Sequence, residues 1–417
     1  MRFLVVDEWV PYPPDSGKKI RTYNLLRYLV RLGSVVYLCY GNGETRPLPG
    51  KLSSNITFIQ LPDRRPRKGS LSYYGRVIWN CLQPRPFSAV YAKSRELVRE
   101  LQRVLGAEFY DAVICEWTPY AEVVLAGDHA MPILMAHNIE FVQWRRLFLS
   151  ARNPIVKGIA YLQWRKMYWY ERHVFAKFRG MWVVSEYDKR TALSMARGLK
   201  VRVAENGVDV EYYKRGRSEG NPRRLVFSAS MDAFSNEDAA CYFVKDVLPL
   251  IVKDEPNIEF TILGRSPGRR VVALRKSRNV VVTGAVPDVR PHLARCGVAV
   301  VPLRIGGGTR LKILEAMAMG IPVVTTSVGA EGLNVTHDKH VLIADGRGEL
   351  AREVVRCVRD DELRARLVRN SLHLVQAGYS WEGIGRKFMA DLAALLGSGI
   401  ASMNVHKGFE SNSEDSE

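Results

Sequence analysis

The residues best suited to chemistry lie between Arg304 and Val324, where a glycine turn is followed by two cations and a carboxylate. Three glycines at 306–308 allow left-handed backbone angles, so the chain can approach a ligand closely there. The free N–H groups of a helix that begins after the turn attract an anion, and Arg310 and Lys312 add full positive charges. Glu315, about one helical turn further on, supplies a carboxylate that can accept hydrogen bonds from a ribose diol. This pattern predicts a site for a phosphorylated nucleoside.

The segments around the glycine turn indicate where it lies in the fold. The apolar run 298–303 has the composition of a buried parallel strand, and Gly320 followed by Pro322 ends the helix. The turn therefore follows the carboxyl end of a parallel strand, where open α/β folds bind ligands. Neither GxxxxGK[ST] nor GxGxxG with an acidic ribose ligand is present, so these residues alone also fit a plain strand-to-helix connection.

Length and composition favour a globular α/β protein with two domains. The chain has 417 residues, of which 47% are hydrophobic and 25% are charged. It has no apolar run long enough to cross a membrane, and its first residues suit a β-strand better than a signal peptide. Its six cysteines are scattered without CxxC spacing, so we expect neither disulfides nor a zinc site. A cytoplasmic protein without a metal centre is the resulting expectation.

The formal net charge of +18 suggests an anionic partner. Cations are concentrated at 63–68 and across 143–182, where they alternate with Trp, Tyr and Phe. This mixture fits the headgroup layer of an anionic membrane, although an ordinary solvated helix face has the same composition. Nucleic acid is the less favoured partner, because no helix-turn-helix, zinc-finger or RNP-type signature accompanies the charge. We therefore expect peripheral contact of region 143–182 with the inner face of the cytoplasmic membrane, and no nucleic acid.

Alternating strand and helix patterns divide the chain into two blocks, which is typical of parallel sheets covered by helices. The first block predicts a Rossmann-like domain at 1–210, and the polar, glycine-bearing segment 211–224 is expected to be a linker. The second block predicts another Rossmann-like domain at 225–378. An amphipathic helix at 379–397 follows it and is expected to pack back onto the first domain. The acidic tail 398–417 has almost nothing to bury, and we expect it to be disordered.

Several segments occur in the order and wording of a known enzyme family. The chain resembles retaining glycosyltransferases of the GT-B fold, specifically glycosyltransferase family 4, in VVSEYD, ENGVD, SMDAFSNEDAACYF, VTGAVPDVRP and GGGTRLKILEAMAMGIPVVTT, at 183–188, 205–209, 230–243, 282–291 and 306–326. It is most similar to a bacterial branch tied to exopolysaccharide synthesis, whose members share GGGTRLK and a closing YSW, here 379–381. The resemblance implies an α/β GT-B fold, in which two Rossmann-like domains face each other across a cleft.

The resemblance assigns donor-binding roles to the residues after the glycine turn. Glu315 corresponds to the second glutamate of the family's Glu-x7-Glu motif and is implied to bind the ribose hydroxyls. The backbone amides of Gly308, Thr309 and Arg310, with the side chains of Arg310 and Lys312, would bind the diphosphate. The two cations would also stabilise the charge that develops on the diphosphate as the sugar departs.

Other positions complete the implied donor site, with one departure from the family pattern. Val286 matches the position that lines the base, and Gly264 ends a strand beside the same pocket. Gly307 stands where the family's first motif glutamate touches the donor sugar, so an acidic contact is missing and a backbone N–H would serve instead. The basic pair that most members place after the first strand of this domain is also missing, because Met231 and Asn236 occupy that region.

Two loops of the first half match donor-facing loops of the family. Gly17 lies in a glycine loop between the first strand and the first helix, under the donor phosphates. His137 ends another strand and matches the active-site histidine that is implied to hydrogen-bond the donor sugar. Glu140 would be a second polar contact, or would pair with Arg145 or Arg146 in the next helix.

The implied reaction transfers a sugar from a UDP- or GDP-linked donor to an acceptor hydroxyl, with retention at the anomeric carbon and no metal or other cofactor. The acceptor would be a glycan or a lipid-linked sugar in exopolysaccharide or cell-surface polysaccharide synthesis. No covalent nucleophile is implied, because the leaving phosphate takes the acceptor proton on the same face. A nucleotide-sugar epimerase of the same fold, or a basic membrane- or nucleic-acid-binding protein without enzymatic activity, is the alternative.

Overall fold

The computed structural model describes residues 1–41, 54–66, 69–127, 131–151, 153–214, 220–306 and 310–397. Three predicted donor-binding positions, Gly307, Gly308 and Thr309, lie outside the described residues. The predicted acidic tail 398–417 lies outside them as well.

A seven-stranded parallel sheet forms the core of the N-terminal domain, with the strand order β3-β2-β1-β4-β5-β6-β7. Its strands are β1 (Arg2–Trp9), β2 (Ser34–Gly41), β3 (Ile56–Pro62), β4 (Ala112–Cys115), β5 (Met131–Met135), β6 (Gly180–Val183) and β7 (Val201–Val203). The central strands β1, β4 and β6 are almost continuously apolar and buried, because helices cover both faces of the sheet. The flanking helices are α1 (Gly17–Leu32), α2 (Leu71–Asn80), α3 (Phe87–Ala92), α4 (Arg95–Ala107), α5 (Ala121–Val124), α6 (Glu140–Ser150), α7 (Pro154–Phe175) and α8 (Glu186–Met195).

A six-stranded parallel sheet forms the C-terminal domain, with the order β10-β9-β8-β11-β12-β13. Its strands are β8 (Asn221–Ser228), β9 (Glu259–Leu263), β10 (Val280–Gly284), β11 (Cys296–Val301), β12 (Val323–Thr325) and β13 (Leu342–Ile343). The helices are α9 (Phe234–Tyr242), α10 (Leu248–Asp254), α11 (Arg269–Val272), α12 (Arg290–Ala294), α13 (Leu311–Ala318), α14 (Ser327–Ala330), α15 (Arg347–Arg359), α16 (Asp361–Gly378) and α17 (Trp381–Leu395). No helix in the described part of the chain is long and apolar enough to cross a membrane.

The start of the second domain differs from the sequence prediction. The predicted linker, 211–224, extends too far, because β8 already begins at Asn221. The segment was expected to be a linker because it is polar, contains glycine and has no apolar periodicity, but its last two arginines have acidic partners at the amino end of the sheet. Arg223 pairs with Glu255 at 3.0 Å, and Arg224 pairs with Glu259 at 3.6 Å. These pairs let a charged sequence form the beginning of a strand.

The last helix crosses back to the first domain, as predicted. Helix α17 packs on α1, and the backbone of Gly385 lies so close to the Tyr28 ring that a Cβ there would meet ring carbons at 2.2 Å. Phe388 of α17 packs against the fully buried Trp182, with 5.6 Å between ring centroids. The architecture is therefore two parallel-sheet domains joined by a linker and tied together by α17.

Candidate functional site

A cleft of about 720 Å³ lies between the two domains, at the carboxyl ends of both sheets. The N-terminal domain contributes the loops that follow β1, β5 and β7, and the C-terminal domain contributes the loops after β8, β9 and β10 with the start of α13. The seven described residues that the sequence predicted for the site all line this cleft: Gly17, His137, Gly264, Val286, Arg310, Lys312 and Glu315.

A second, larger cavity of about 860 Å³ lies elsewhere, between the linker and α16. It is lined by Pro222, Gly297 and Pro322, which stand at the amino ends of strands β8, β11 and β12. Ligands of parallel α/β sheets bind at the opposite, carboxyl end. We therefore assign the functional site to the interdomain cleft, where the perturbed titratable groups also converge.

Two helix N-termini face each other across the cleft. Helix α1 begins at Gly17 and α13 begins at Leu311, and a Cβ on Gly17 would lie 3.5 Å from Cδ1 of Leu311. Neither helix has an acidic residue in its first turn, and neither cap residue, Ser16 or Arg310, makes a side-chain capping hydrogen bond among the described residues. Their first N–H groups therefore remain available to an anion in the cleft.

Lys312 is the cation whose charge depends most on its surroundings. Its ammonium group donates a 2.7 Å hydrogen bond to Oδ1 of Asn236 and lies 5.0 Å from the ring centroid of Phe227. Burial, together with the nearby Arg310, lowers the pKa of Lys312 to about 7, although Glu315 acts in the opposite direction. The ammonium group of Lys312 therefore loses its proton readily, and a neighbouring anion would raise its pKa again.

Arg310 lies deeper, at the junction of the two domains. Burial lowers its pKa to about 10, Glu331 raises it and Arg146 lowers it further. The guanidinium group folds over the backbone of Gly306, where a Cβ would stand 2.4 Å from Nη2. Gly306 also has φ +151°, a backbone angle that favours glycine at this position.

Glu315 is positioned by a neighbour that the sequence did not reveal. The hydroxyl group of Tyr213 donates a hydrogen bond to its carboxylate. Burial raises the pKa of Glu315, while this hydrogen bond and the Lys312 charge lower it. Tyr213 follows the first domain directly and also lines the cleft, so it ties the carboxylate to the linker.

His137 is held by a buried carboxylate. Its Nε2 atom lies 3.2 Å from Oε2 of Glu116, and the hydroxyl of Thr22 donates to the same oxygen at 2.9 Å. Burial lowers the pKa of His137, although Glu116 raises it, so the imidazole loses its proton at a lower pH than an ordinary histidine. Because a carboxylate only accepts hydrogen bonds, Nε2 carries the proton and Nδ1 is an acceptor. Glu116 comes directly after β4, and that position at a strand's carboxyl end was its only sequence signal.

Lys18 also lines the cleft, and a carboxylate pair partly neutralises it. Its ammonium group lies 2.5 Å from Oδ1 of Asp7 and 3.9 Å from Glu8. Burial lowers the pKa of Lys18, but Asp7 and Glu8 outweigh this effect and the net shift is upward. The charge stacks 4.9 Å from the Trp117 ring centroid. The loop after β1 is thereby fixed to the sheet beneath it.

Two ion pairs join the domains at the rim of the cleft. Asp15 pairs with Arg265 at 3.3 Å, and Arg146 pairs with Glu331 at 2.6 Å. Arg146 also donates a hydrogen bond to the carbonyl oxygen of Gly306, at the edge of the glycine turn. Helix α6 of the first domain therefore contacts the edge of the glycine turn in the second.

Glu140 makes contacts that the sequence did not suggest, and its polar contact with the donor stays a prediction. It is buried and accepts hydrogen bonds from the Trp117 indole at 2.8 Å and the Asn138 amide at 2.7 Å. The prediction that it pairs with Arg145 or Arg146 is wrong, because Arg146 turns toward the other domain. Glu140 is thus an internal support of the loop that carries His137.

Region 143–182 is not the continuous outer surface that its composition suggested. Trp182 is fully buried beneath α17. The ammonium group of Lys166 donates to the carbonyl oxygens of Asn80 and Cys81, at 2.5 and 3.3 Å. Several of its aromatic and basic side chains therefore hold the N-terminal domain together.

Comparison with known proteins agrees with this architecture. Residues 222–360 match the family model described as glycosyl transferases group 1. The chain is 23% identical over 398 residues to an uncharacterized 44.6 kDa protein in the cps region of Klebsiella pneumoniae, covering 91% of this chain and 96% of that protein.

Solved structures show the same fold at low sequence identity. Sucrose-phosphate synthase from Thermosynechococcus elongatus is 14% identical and superposes with a TM-score of 0.72, covering 95% of this chain and 99% of that one. HepE from Anabaena, in complex with UDP and glucose, is 14% identical with a TM-score of 0.67, covering 94% of this chain and 100% of that one. The chain therefore has the GT-B fold, as the sequence predicted, and its C-terminal domain matches the glycosyl transferases group 1 model.

Proposed function

We propose that this protein is a retaining glycosyltransferase that moves a sugar from a nucleotide-diphosphate donor to an acceptor hydroxyl. The observation that carries the proposal is the interdomain cleft, in which two uncapped helix N-termini, Arg310, Lys312 and Glu315 converge. The helix N-termini and the cations suit a diphosphate, and the carboxylate suits ribose hydroxyls, so together they suit one ligand that contains both groups. The matching family model at 222–360 and the UDP complex of HepE support the same donor class, with UDP as the first candidate.

The donor would lie along the C-terminal domain. Val286 and Gly264 would border the base and its ribose, while Glu315 would accept from the ribose hydroxyls with Tyr213 holding it in place. The diphosphate would bridge the starts of α1 and α13 beside Lys312. His137 would contact the sugar from the opposite wall, through the Nδ1 acceptor that its bond to Glu116 leaves available.

Leaving-group stabilisation would supply most of the catalysis. As the bond between sugar and diphosphate breaks, negative charge grows on the diphosphate, and Lys312, Arg310 and the helix dipoles are already arranged around it. We propose that these cations, in place of a metal ion, neutralise the leaving group. The acceptor oxygen then bonds to the anomeric carbon on the face that the diphosphate leaves. Its proton passes to the departing phosphate oxygen, and the use of one face gives retention.

The carboxylates of the cleft support a mechanism without a covalent nucleophile. Among the described residues, three carboxylates line it, and each has a partner: Asp15 with Arg265, Asp288 with Arg290, and Glu315 with Tyr213. An epimerase would need acid and base groups facing the sugar. The acceptor we propose is a glycan or a lipid-linked sugar of a cell-surface polysaccharide or exopolysaccharide.

Product analysis with a panel of nucleotide sugars tests this proposal. The protein is incubated with UDP-, GDP-, ADP- and TDP-linked sugars, with and without glycan acceptors, and NMR reports the anomeric configuration of the product. Glu315→Gln and His137→Ala should each lower turnover at least tenfold, whereas Glu362→Gln on the exposed face of α16 should not. Undiminished activity in both site variants, or interconversion of donors without transfer, would overturn the proposal.

A further inference from the structure

Two long segments of the N-terminal domain contain cations and no acidic residue. Residues 64–95 include eight Lys or Arg side chains and residues 141–170 include six, and neither segment contains an Asp or a Glu. Such blocks are unusual in a chain where a quarter of all residues are charged. Carboxylates outside the two segments pair with Arg64, Arg65, Arg85, Lys93 and Arg146, so a positive surface depends on the remaining cations of these segments.

The structure joins these two segments. The amide of Gln163 in α7 donates to Oδ1 of the buried Asn80 at 2.9 Å, at the end of α2. Gln163 also accepts a hydrogen bond from the backbone N–H of Phe87 at 2.9 Å, and Lys166 donates to the carbonyl of Asn80 at 2.5 Å. Helices α2 and α7 therefore belong to one surface.

Helix α2 presents its apolar face to solvent. Five large apolar or aromatic residues occur at the spacing of one helix face and are between 56% and 92% exposed: Leu71, Tyr74, Ile78, Trp79 and Leu82 just after the helix. The inward contacts come from other residues, such as Tyr73, whose ring lies 5.3 Å from that of Phe87. In a soluble protein an amphipathic helix normally turns its apolar face inward, so this stripe requires a partner.

The beginning of α7 extends the same surface. Ile155 is 72% exposed and Tyr161 is 48% exposed on this helix. Three cations are exposed on these helices: Arg76 of α2, and Lys157 and Arg165 of α7. None of the three has a carboxylate partner within the described ranges. Exposed apolar side chains and cations without a carboxylate partner in the described part of the chain thus occur together on α2 and on α7.

We propose that α2 and the first half of α7 form a membrane-binding surface, which inserts its apolar stripe into the headgroup layer of a membrane rich in anionic lipid. Leu and Ile fit the acyl boundary, Trp and Tyr fit the interface, and the cations attract the lipid phosphates. The sequence placed membrane contact in region 143–182, whereas the structure shifts its apolar part to α2. The binding is separate from the proposed transferase activity and is measured without it.

Charge distinguishes a membrane from the other occupants of this surface. Two copies of this chain in contact through α2 would place cations against cations, which is repulsive. Nucleic acid would satisfy the cations but would leave the Leu and Ile stripe in water. An anionic lipid surface satisfies both the apolar and the charged parts.

Vesicle flotation with the full chain tests this surface. Vesicles of phosphatidylcholine alone are compared with vesicles that also contain phosphatidylglycerol, at low and high salt. The protein should float with the anionic vesicles only, and salt should weaken this binding. Ile78→Ser with Trp79→Ser should lower the partition coefficient at least about tenfold, and Arg76→Glu should lower it about five- to twentyfold. Phe109→Ser, which removes a 79% exposed ring elsewhere on the domain, is the matched control.

The variants must first be shown to fold, and a thermal-unfolding midpoint equal to that of the wild type shows this. Failure of the wild type to float with anionic vesicles overturns the proposal. So does wild-type flotation of the Ile78/Trp79 double variant. Analytical ultracentrifugation is run in parallel, because a concentration-dependent dimer that the double variant abolishes would assign the stripe to a second copy and would also overturn it.

Discussion

Raising the pH from 7 to 9 should weaken the binding of UDP to this protein, because Lys312 of the free protein loses its proton over this range. Burial lowers the pKa of this side chain from its ordinary value of 10.5 to about 7. A bound diphosphate places negative charge beside the ammonium group and raises the pKa again. Binding therefore takes up a proton, and it becomes harder as free protons become scarce.

The magnitude follows from the free-state pKa. With a pKa of about 7, Lys312 is about half protonated at pH 7 and about 1% protonated at pH 9. The dissociation constant of UDP should therefore rise about fiftyfold over these two pH units, which corresponds to about 2 kcal/mol. The charge of UDP itself changes little in this range, because its last phosphate proton leaves near pH 6, at about the value of other phosphate monoesters.

Isothermal titration calorimetry measures this dependence. The dissociation constant is determined at several pH values, and titrations in buffers of different ionisation enthalpy report the protons taken up. Lys312→Arg keeps its charge throughout and should show a nearly flat profile. A dissociation constant of the wild type that does not change between pH 7 and 9 would refute the reasoning.

The lowered pKa of Lys312 also affects folding. The stability of the folded state rises with pH, whereas the affinity for UDP falls. The folded pKa lies below the ordinary value of 10.5, so the folded state holds fewer protons than the unfolded state and stability rises from pH 7 to about pH 10. Lys312→Met removes the free-energy cost of burying this ionisable amine. It should raise the melting temperature of the free protein at pH 7 while abolishing the stabilisation by UDP, which separates a binding defect from misfolding.

Three further predictions concern contacts around the cleft and the last helix. Glu116→Gln should lower kcat about ten- to a hundredfold in steady-state kinetics, because His137 loses a charged hydrogen-bond partner. Arg146→Gln and Glu331→Gln should each raise the KM of the donor, and the double variant should be no worse than either, because each single change leaves a partly buried charge unpaired. Gly385→Val should lower the free energy of unfolding, measured by chemical denaturation, by about 1–3 kcal/mol, because its Cβ would overlap a tyrosine ring of α1.

Each of these predictions has a matched control. Glu122→Gln changes a carboxylate of α5 outside the cleft, and an equal effect of the two glutamine variants on kcat would contradict the role of Glu116. Additive effects on KM in the double variant would show that Arg146 and Glu331 act independently. Gly378→Ala is the control for Gly385→Val, since no atom among the described residues lies within 4 Å of a Cβ there. An unchanged unfolding free energy in Gly385→Val would mean that α17 does not dock on α1 in solution.

Local patterns in the sequence were enough to predict two parallel-sheet domains, and the family resemblance added the cleft between them. Apolar runs of strand length alternate with helix-length amphipathic stretches, and this alternation determines parallel sheets covered by helices. Residues that follow such strands must meet at one edge of the sheet, and the family resemblance singled out Gly17, His137, Gly264 and Val286 among them. Their roles toward a ligand are still predictions.

Only the tertiary structure decided which side chains support those residues. Lys312 meets Asn236 across 76 positions of sequence, and Arg146 meets Glu331 across 185. The first pairing depends on how two helices pack within the C-terminal domain, and the second depends on how the two domains pack together. Neither can be read from the periodicity of the sequence. The tertiary structure also turned the apolar face of α2 outward, because inward packing is provided by Tyr73 and Asn80. Sequence thus determined the sheets and the loops at their ends, whereas packing determined burial, and burial sets the charge of Lys312.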